Sequence, residues 1–155
     1  MNLRVSPNGR FLMYDDGTPF FWLADTGWTI LQRLNRDETL EYLDDRAAKG
    51  FNIIQTMGIT EFNALRVPNA FGETPFLDMN PATPNDKYWQ HVDWVIEEAA
   101  KRKMLLALLP IWGDKVNRGW GVGPEILTPE NARLYGQWLG KRYRDAPLIW
   151  VVGGD

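Results

Sequence analysis

The chain has 155 residues, of which 45% are hydrophobic and 24% charged, the balance of a single globular domain and not of a disordered segment. Its 17 basic residues are scattered among 20 acidic ones, and the longest apolar run, residues 104–112, is far shorter than the roughly 20 residues that span a bilayer, so neither nucleic acid nor a membrane is an expected partner. The lack of cysteine and the single histidine exclude thiolate chemistry and a His-rich metal site, so we expect no metal ion and no cofactor.

The beginning of the chain predicts an N-terminal β-ribbon over residues 1–19. Ser6-Pro7-Asn8-Gly9 is typical of a turn, residues 10–14 of a short strand, and Asp15-Asp16-Gly17 of a hairpin, because Asp and Gly tolerate positive φ. The continuous apolar run at 20–24 then predicts a strand that is buried on both faces.

Helices and strands alternate after this point. Asn35 can cap a first helix, Asn85 or Asp86 can open a second, and Thr128 can cap a third. Further strands are predicted at 51–56, 104–109 and 148–152. Four strands separated by three helices predict an α/β fold with parallel strands and right-handed crossovers.

The loops that follow strands are much longer than the loops that follow helices, above all at 58–84 and 113–127. Long loops in a compact domain are usually functional, and barrel enzymes carry their sites at the carboxyl ends of the strands. Two folds fit the alternation: an open doubly wound sheet, or the first half of a (β/α)8 barrel, which in full takes about 250 residues. The loop at 25–28 lacks the glycines of a phosphate-binding turn, so we favour one domain over 1–155 that is half a barrel.

Three aspartates follow predicted strands and are candidates for chemistry. Asp155 comes after Gly153 and Gly154 at the end of the last strand, where it is either a catalytic carboxylate or the N-cap of a following helix. Asp25 follows the first predicted strand and is either a site residue or a turn residue. Asp114 lies in the loop after the third strand and is predicted, like Asp25, to line the substrate-binding site.

Eight tryptophans are several times ordinary usage and indicate a large core, an aromatic ligand floor, or both. Four lie in apolar periodic stretches and are predicted to be core residues: Trp22, Trp94, Trp138 and Trp150. The loop residues Trp28, Trp112 and Trp120 are predicted to contact a ligand, together with Glu61 and Lys115. Aromatic rings beside carboxylates suit the C–H faces and hydroxyl edges of a sugar. The lone His91 lies on a predicted helix and is expected to be structural.

Five segments resemble the apiosidase-like family, glycoside hydrolase family 140: residues 7–10, 20–28, 46–52, 109–117 and 150–155. The resemblance implies the first half of a clan A type TIM barrel. It implies a retaining glycoside hydrolase that acts on plant cell-wall pectic glycans, and a secreted or periplasmic protein, although no signal peptide is recognisable. It also implies that Asp155 holds the acid/base position, while the nucleophilic glutamate belongs to a later strand.

These implications carry two expectations about the isolated chain. It should bind an oligosaccharide or polysaccharide but lack enzymatic activity, because the nucleophile is missing. The alternative is a non-catalytic half-barrel module that self-associates and at most binds carbohydrate. In either case, the inner face of half a barrel lacks partners, so we expect about half of a set of strand residues to be incompletely buried: Ile53, Leu106, Leu108 and Ile149.

Overall fold

The computed structural model describes residues 3–117 and 119–153. The strands in this part of the chain are β1 (Leu3–Val5), β2 (Leu12–Tyr14), β3 (Ala24–Thr26), β4 (Ile53–Met57), β5 (Leu105–Leu109) and β6 (Leu148–Trp150). The helices are α1 (Ile30–Arg33), α2 (Arg36–Ala48), α3 (Asp86–Lys101), α4 (Asp114–Asn117) and α5 (Pro129–Arg142), with a 3₁₀ turn at Leu77–Met79. None of these described helices has the length and apolar character that a membrane span requires.

The parallel sheet has the strand order of a barrel. β3, β4, β5 and β6 are neighbours in chain order, and all their pairings are parallel. Ile53 on β4 lies opposite Ala24 on β3 and Leu105 on β5. A doubly wound sheet reverses its order at a switch point. The steady progression seen here therefore confirms part of a (β/α)8 barrel rather than the open sheet.

The three long helices begin where the sequence predicts. Asn35 and Glu38 form a reciprocal capping box at α2, and Asn85 caps α3 by accepting from the backbone of Lys87. Thr128 caps α5 through Asn131, with a proline in the first turn. These caps satisfy backbone N–H groups that have no partner within the helix. The short helices α1 and α4 and the 3₁₀ turn were not predicted.

The apolar run at 20–24 is not the buried strand that the sequence predicts. The strand begins only at Ala24, and the side chains of Phe21 and Trp22 are 76% and 40% exposed. The side chain of Asn52 occupies the backbone groups just before the strand: it donates to the Phe21 carbonyl (2.7 Å) and accepts from the Leu23 amide (3.0 Å). At the Phe21 carbonyl and the Leu23 amide, this bonding by an amide side chain takes the place of hydrogen bonds to a neighbouring strand.

The outer face of the sheet packs on α1, α2, α3 and α5 and forms the main core. Two of the tryptophans predicted to be core residues, Trp94 and Trp138, are half-buried against this cluster. The other two, Trp22 and Trp150, are 40% and 37% exposed, because they flank the two edges of the sheet. Trp89, which was not predicted, is fully buried and donates its indole N–H to the Pro75 carbonyl (3.0 Å).

The inner face of the sheet is covered by the ribbon β1–β2 near the amino ends of the strands. Phe20 and the partly buried Leu3 belong to one apolar cluster with Ile53 and Leu105, the first residues of β4 and β5. The expected exposure of the strands is mostly wrong, because the ribbon covers Ile53 and the helices cover Leu106 and Leu108. Ile53, Leu106 and Leu108 are fully buried, and Ile149 is half-buried.

Candidate active site

Two loops at the carboxyl ends of β4 and β5 are joined by backbone hydrogen bonds. The Gly58 amide donates to the Leu109 carbonyl (2.7 Å), and the Trp112 amide donates to the Ile59 carbonyl (3.1 Å). A Cβ atom on Gly58 would lie 2.8 Å from the Pro110 carbonyl oxygen, so only glycine allows this approach. The two loops therefore form a single wall above the sheet.

Trp28, in the loop after β3, packs against Trp112 of this wall. Their rings contact edge to face with centroids 5.3 Å apart, a favourable aromatic arrangement. Trp112 is 8% exposed, and its indole N–H donates to the Trp120 carbonyl (2.8 Å). Trp112, predicted as a ligand-contacting residue, thus holds the loop that carries Trp120 and presents little of its own ring to solvent.

Glu61 is a buried carboxylate with few partners. Only 4% of the residue is exposed. The Trp28 indole N–H donates to both carboxylate oxygens, at 3.0 Å and 3.1 Å. No other donor and no cation contacts this carboxylate among the described residues.

Trp120 and Phe62 form the exposed aromatic edge of the site. Trp120 is 67% exposed, and its ring lies edge to face with that of Phe62 at 6.0 Å between centroids. Both residues belong to a groove of about 600 Å³, which is lined by Glu61, Phe62, Gly119, Trp120, Gly121 and Val122. Sequence patterns did not indicate Phe62 or Val122, although the position of Phe62 beside Glu61 in a long loop is a usable signal.

Asp114 and Lys115 form a buried ion pair and not an open subsite. They are 2% and 0% exposed, and Lys115 Nζ lies 2.5 Å from Asp114 Oδ2. The same oxygen accepts from the Gly123 amide (2.8 Å), and the Lys115 carbonyl accepts from two amides of the following loop. The pair was predicted to contact substrate, but the structure gives Lys115 no access to solvent. Asp114 only lines an adjoining cavity of about 480 Å³.

Asp25 does not join the other predicted site residues. It lies within β3, and its Oδ2 accepts from the Tyr42 hydroxyl (2.8 Å) and pairs with Arg46 Nε (2.6 Å), both on α2. Its neighbour Ala24 packs in the inner cluster, so alternation along the strand turns Asp25 toward the helices. Burial, followed by the contact with Asp25, raises the pKa of Tyr42 above its ordinary value. Asp25 thus links the sheet to α2.

Asp155, predicted as the catalytic acid, lies outside the described residues. The last strand nevertheless leads to this site, because Val151 packs against the cluster of Met57, Leu109 and Trp112. Among the described residues, no three acidic or histidine side chains lie close enough together to hold a metal ion.

Parallel strands with barrel order and a groove at their carboxyl ends are the features of part of a TIM barrel, which carries its sites at that end. A family model and the solved structures both relate this fold to glycoside hydrolases. The model of the apiosidase-like catalytic domain family matches residues 6–155, and the chain belongs to this family. A comparison with curated proteins gave no match.

Solved structures share the fold. A structure described as a glycoside hydrolase is 37% identical with a TM-score of 0.83, and it aligns with 99% of this chain and 34% of its own. A glycoside hydrolase family 5 protein from Bacteroides vulgatus ATCC 8482 is 36% identical with a TM-score of 0.84, over 99% and 33%. An exo-β-1,4-mannosidase from Opitutaceae bacterium strain TAV5 is 14% identical, with a TM-score of 0.68 over 98% and 28%, and shares the fold alone. The chain therefore spans about a third of the length of these structures.

Proposed function

We propose that these residues are the N-terminal half of the catalytic barrel of a retaining glycoside hydrolase that acts on plant cell-wall pectic glycans. The observation that carries this proposal is the groove in which a buried carboxylate, Glu61, lies beside the exposed ring of Trp120. Stacking on an aromatic ring and hydrogen bonds to carboxylate oxygens are the two contacts that a sugar ring offers. The groove lies at the carboxyl ends of the strands, as barrel active sites do.

In this proposal, Asp155 is the general acid and base. It protonates the leaving glycosidic oxygen in the first step and activates water in the second. A retaining mechanism needs a second carboxylate about 5–5.5 Å away as nucleophile. By family resemblance this is a glutamate on a later strand, in the two thirds of the barrel structures that this chain does not span. The 155 residues alone would then bind sugar without turning it over.

The assay for this proposal is the release of reducing sugar from pectic oligosaccharides. We expect turnover by a protein that joins these residues to the rest of the barrel, little by the 155-residue chain, and a large loss from Asp155→Asn in the longer protein. Rapid turnover by the short chain would contradict the position of the nucleophile. An active Asp155→Asn variant would contradict the role of the acid, and no activity in any form would contradict the glycoside hydrolase itself.

A second candidate is a non-catalytic module that associates with a copy of itself. It is favoured by the exposed apolar side chains near the two sheet edges, with Phe21 at 76% beside β3 and Val152 at 94% beyond β6. In a symmetric pair, β6 of each copy would lie against β3 of the other. Sedimentation of the 155-residue chain tests this candidate. A dimer that dissociates in the Phe21→Ser and Val152→Ser variants supports it, and a stable monomer contradicts it.

A further inference from the structure

Building on the proposed carbohydrate function, we propose that Glu61 is a specificity residue. It restricts the groove lined by Phe62, Trp120 and Val122 to an uncharged sugar that presents two neighbouring hydroxyl groups. The proposal deepens the assignment of the site by naming the kind of sugar residue that the groove accepts. It rests on the burial of Glu61, on the number of its partners, and on its place in the groove.

A carboxylate buried to this degree normally has a cation or several hydrogen-bond donors, because taking the charge out of water is costly. Among the residues that the structure describes, Glu61 has one neutral donor, the Trp28 indole, which both oxygens share at 3.0 Å and 3.1 Å. An ionised carboxylate offers about four acceptor sites. One shared N–H leaves most of this capacity open, and Glu61 is one of the residues that line the groove.

The rest of the groove determines what the donor can be. Phe62 and Trp120 are 46% and 67% exposed and meet edge to face, so they offer apolar ring surface close to the carboxylate. A volume of about 600 Å³ falls within the range of small-molecule sites. A sugar ring fits both features, since its C–H face can lie on an aromatic ring while two adjacent hydroxyls donate to the two oxygens of Glu61.

Charge then excludes one class of sugar. A uronic acid would bring its own carboxylate toward a buried carboxylate that no described cation neutralises, and the two like charges would repel. A neutral sugar has no such penalty. Within an acidic pectic polymer, the groove would therefore select a neutral residue, such as a side-chain sugar, and reject galacturonate.

The experiment measures binding to the 155-residue chain at pH 7 by calorimetry. The probes are matched methyl glycosides that differ only at C6, galactoside against galacturonoside and glucoside against glucuronoside, together with methyl xyloside. We expect a neutral glycoside to bind and its uronic acid partner to bind at least about tenfold more weakly. Glu61→Gln should weaken the binding of the neutral sugar by about tenfold. It should also reduce the difference in affinity between a neutral glycoside and its uronic acid partner. Glu41→Gln, the same change on the exposed face of α2, should alter neither the affinity for the neutral sugar nor the difference from the uronic acid.

The outcomes separate this inference from the proposed function. Binding of a neutral sugar that Glu61→Gln leaves unchanged would overturn the role of Glu61 and keep the carbohydrate site. A uronic acid that binds more tightly than its neutral partner would overturn the charge argument alone. No binding by any neutral glycoside would overturn both. Thermal unfolding of the two variants shows whether a loss of binding reflects a loss of the fold.

Discussion

The indole of Trp28 is the hydrogen-bond donor to Glu61, and the two residues are 33 positions apart in the chain. Trp28 follows β3, whereas Glu61 follows β4, so the bond joins two strand-end loops. The ring of Trp28 also contacts Trp112 after β5. One tryptophan thereby connects the loops of three successive strands.

Removing this donor should destabilise the protein. We expect Trp28→Phe to lower the free energy of unfolding by about 1–3 kcal/mol, because a buried acceptor loses its partner. Urea denaturation measures the effect. The matched control is the same substitution in a Glu61→Leu background, where the cost should be clearly smaller because no carboxylate is left unpaired. Equal costs in both backgrounds would mean that the hydrogen bond contributes nothing.

The buried pair of Asp114 and Lys115 should be sensitive to the loss of one partner. We expect Lys115→Met to cost about 3–5 kcal/mol of unfolding free energy, because it leaves a carboxylate buried without its cation. The double variant with Asp114→Leu should recover part of this loss. Lys141→Met on the exposed face of α5 is the control and should be nearly neutral. A single variant as stable as the control would contradict the pairing.

Any side chain at position 121 should disturb the loop that contains Gly121. Its φ is +149°, and a Cβ atom would overlap the carboxylate of Asp114. We expect Gly121→Ala to cost at least about 1–3 kcal/mol from the strained backbone and to disturb the groove. Gly136 and Gly140 on α5 have open space around them, so alanine there should stabilise the helix by about 0.5–1 kcal/mol. Thermal unfolding of the three variants gives the comparison.

His91 should make stability depend on pH between about 4 and 6.5. Burial, and to a lesser extent the charge of Arg36, lowers the pKa of His91 to about 4 from its ordinary 6.5. Between these values the unfolded chain binds a proton that the folded chain does not bind. The contribution of neutral His91 to the free energy of unfolding is therefore fully present above pH 6.5 and is lost as the pH falls toward 4.

Urea denaturation of the wild type and of His91→Phe at several pH values tests this dependence. The variant keeps an aromatic ring between Phe71 and Trp94, whose centroids lie 4.6 Å and 5.9 Å from that of His91. Its stability should fall less steeply between pH 6.5 and 4. Parallel curves for the two proteins would show that His91 does not titrate in this range.

Local signals in the sequence predict much of the fold. The caps at Asn35, Asn85 and Thr128 are contained in a few consecutive residues, so the helix starts are accurate. The run at 20–24 is different, because its backbone bonds to Asn52, about thirty residues away. No window around the run contains that partner, and hydrophobicity alone therefore predicts a strand that does not form.

The sequence predicts which loops form the site better than it predicts which side chains contact one another there. Long connections after the strands placed Glu61, Trp28 and Trp120 in one region, and the structure brings these three together. The exclusion of Asp25 depends on which side of β3 it faces, and the sequence predicted the strand four residues too early. The burial of Lys115 depends on the fold of the loop at 119–127, which has no periodic pattern.

The position of the ribbon has a consequence for synthesis of the chain. Leu3, Leu12 and Phe20 are translated first, whereas the strand residues of the same cluster, such as Ile53 on β4 and Leu105 on β5, are translated much later. Domains emerge from the ribosome from the N-terminus onward. The ribbon must therefore wait, with apolar side chains in water, until β5 has been translated. Contacts between residues so far apart in the chain form slowly, and apolar side chains that are exposed in the meantime promote aggregation.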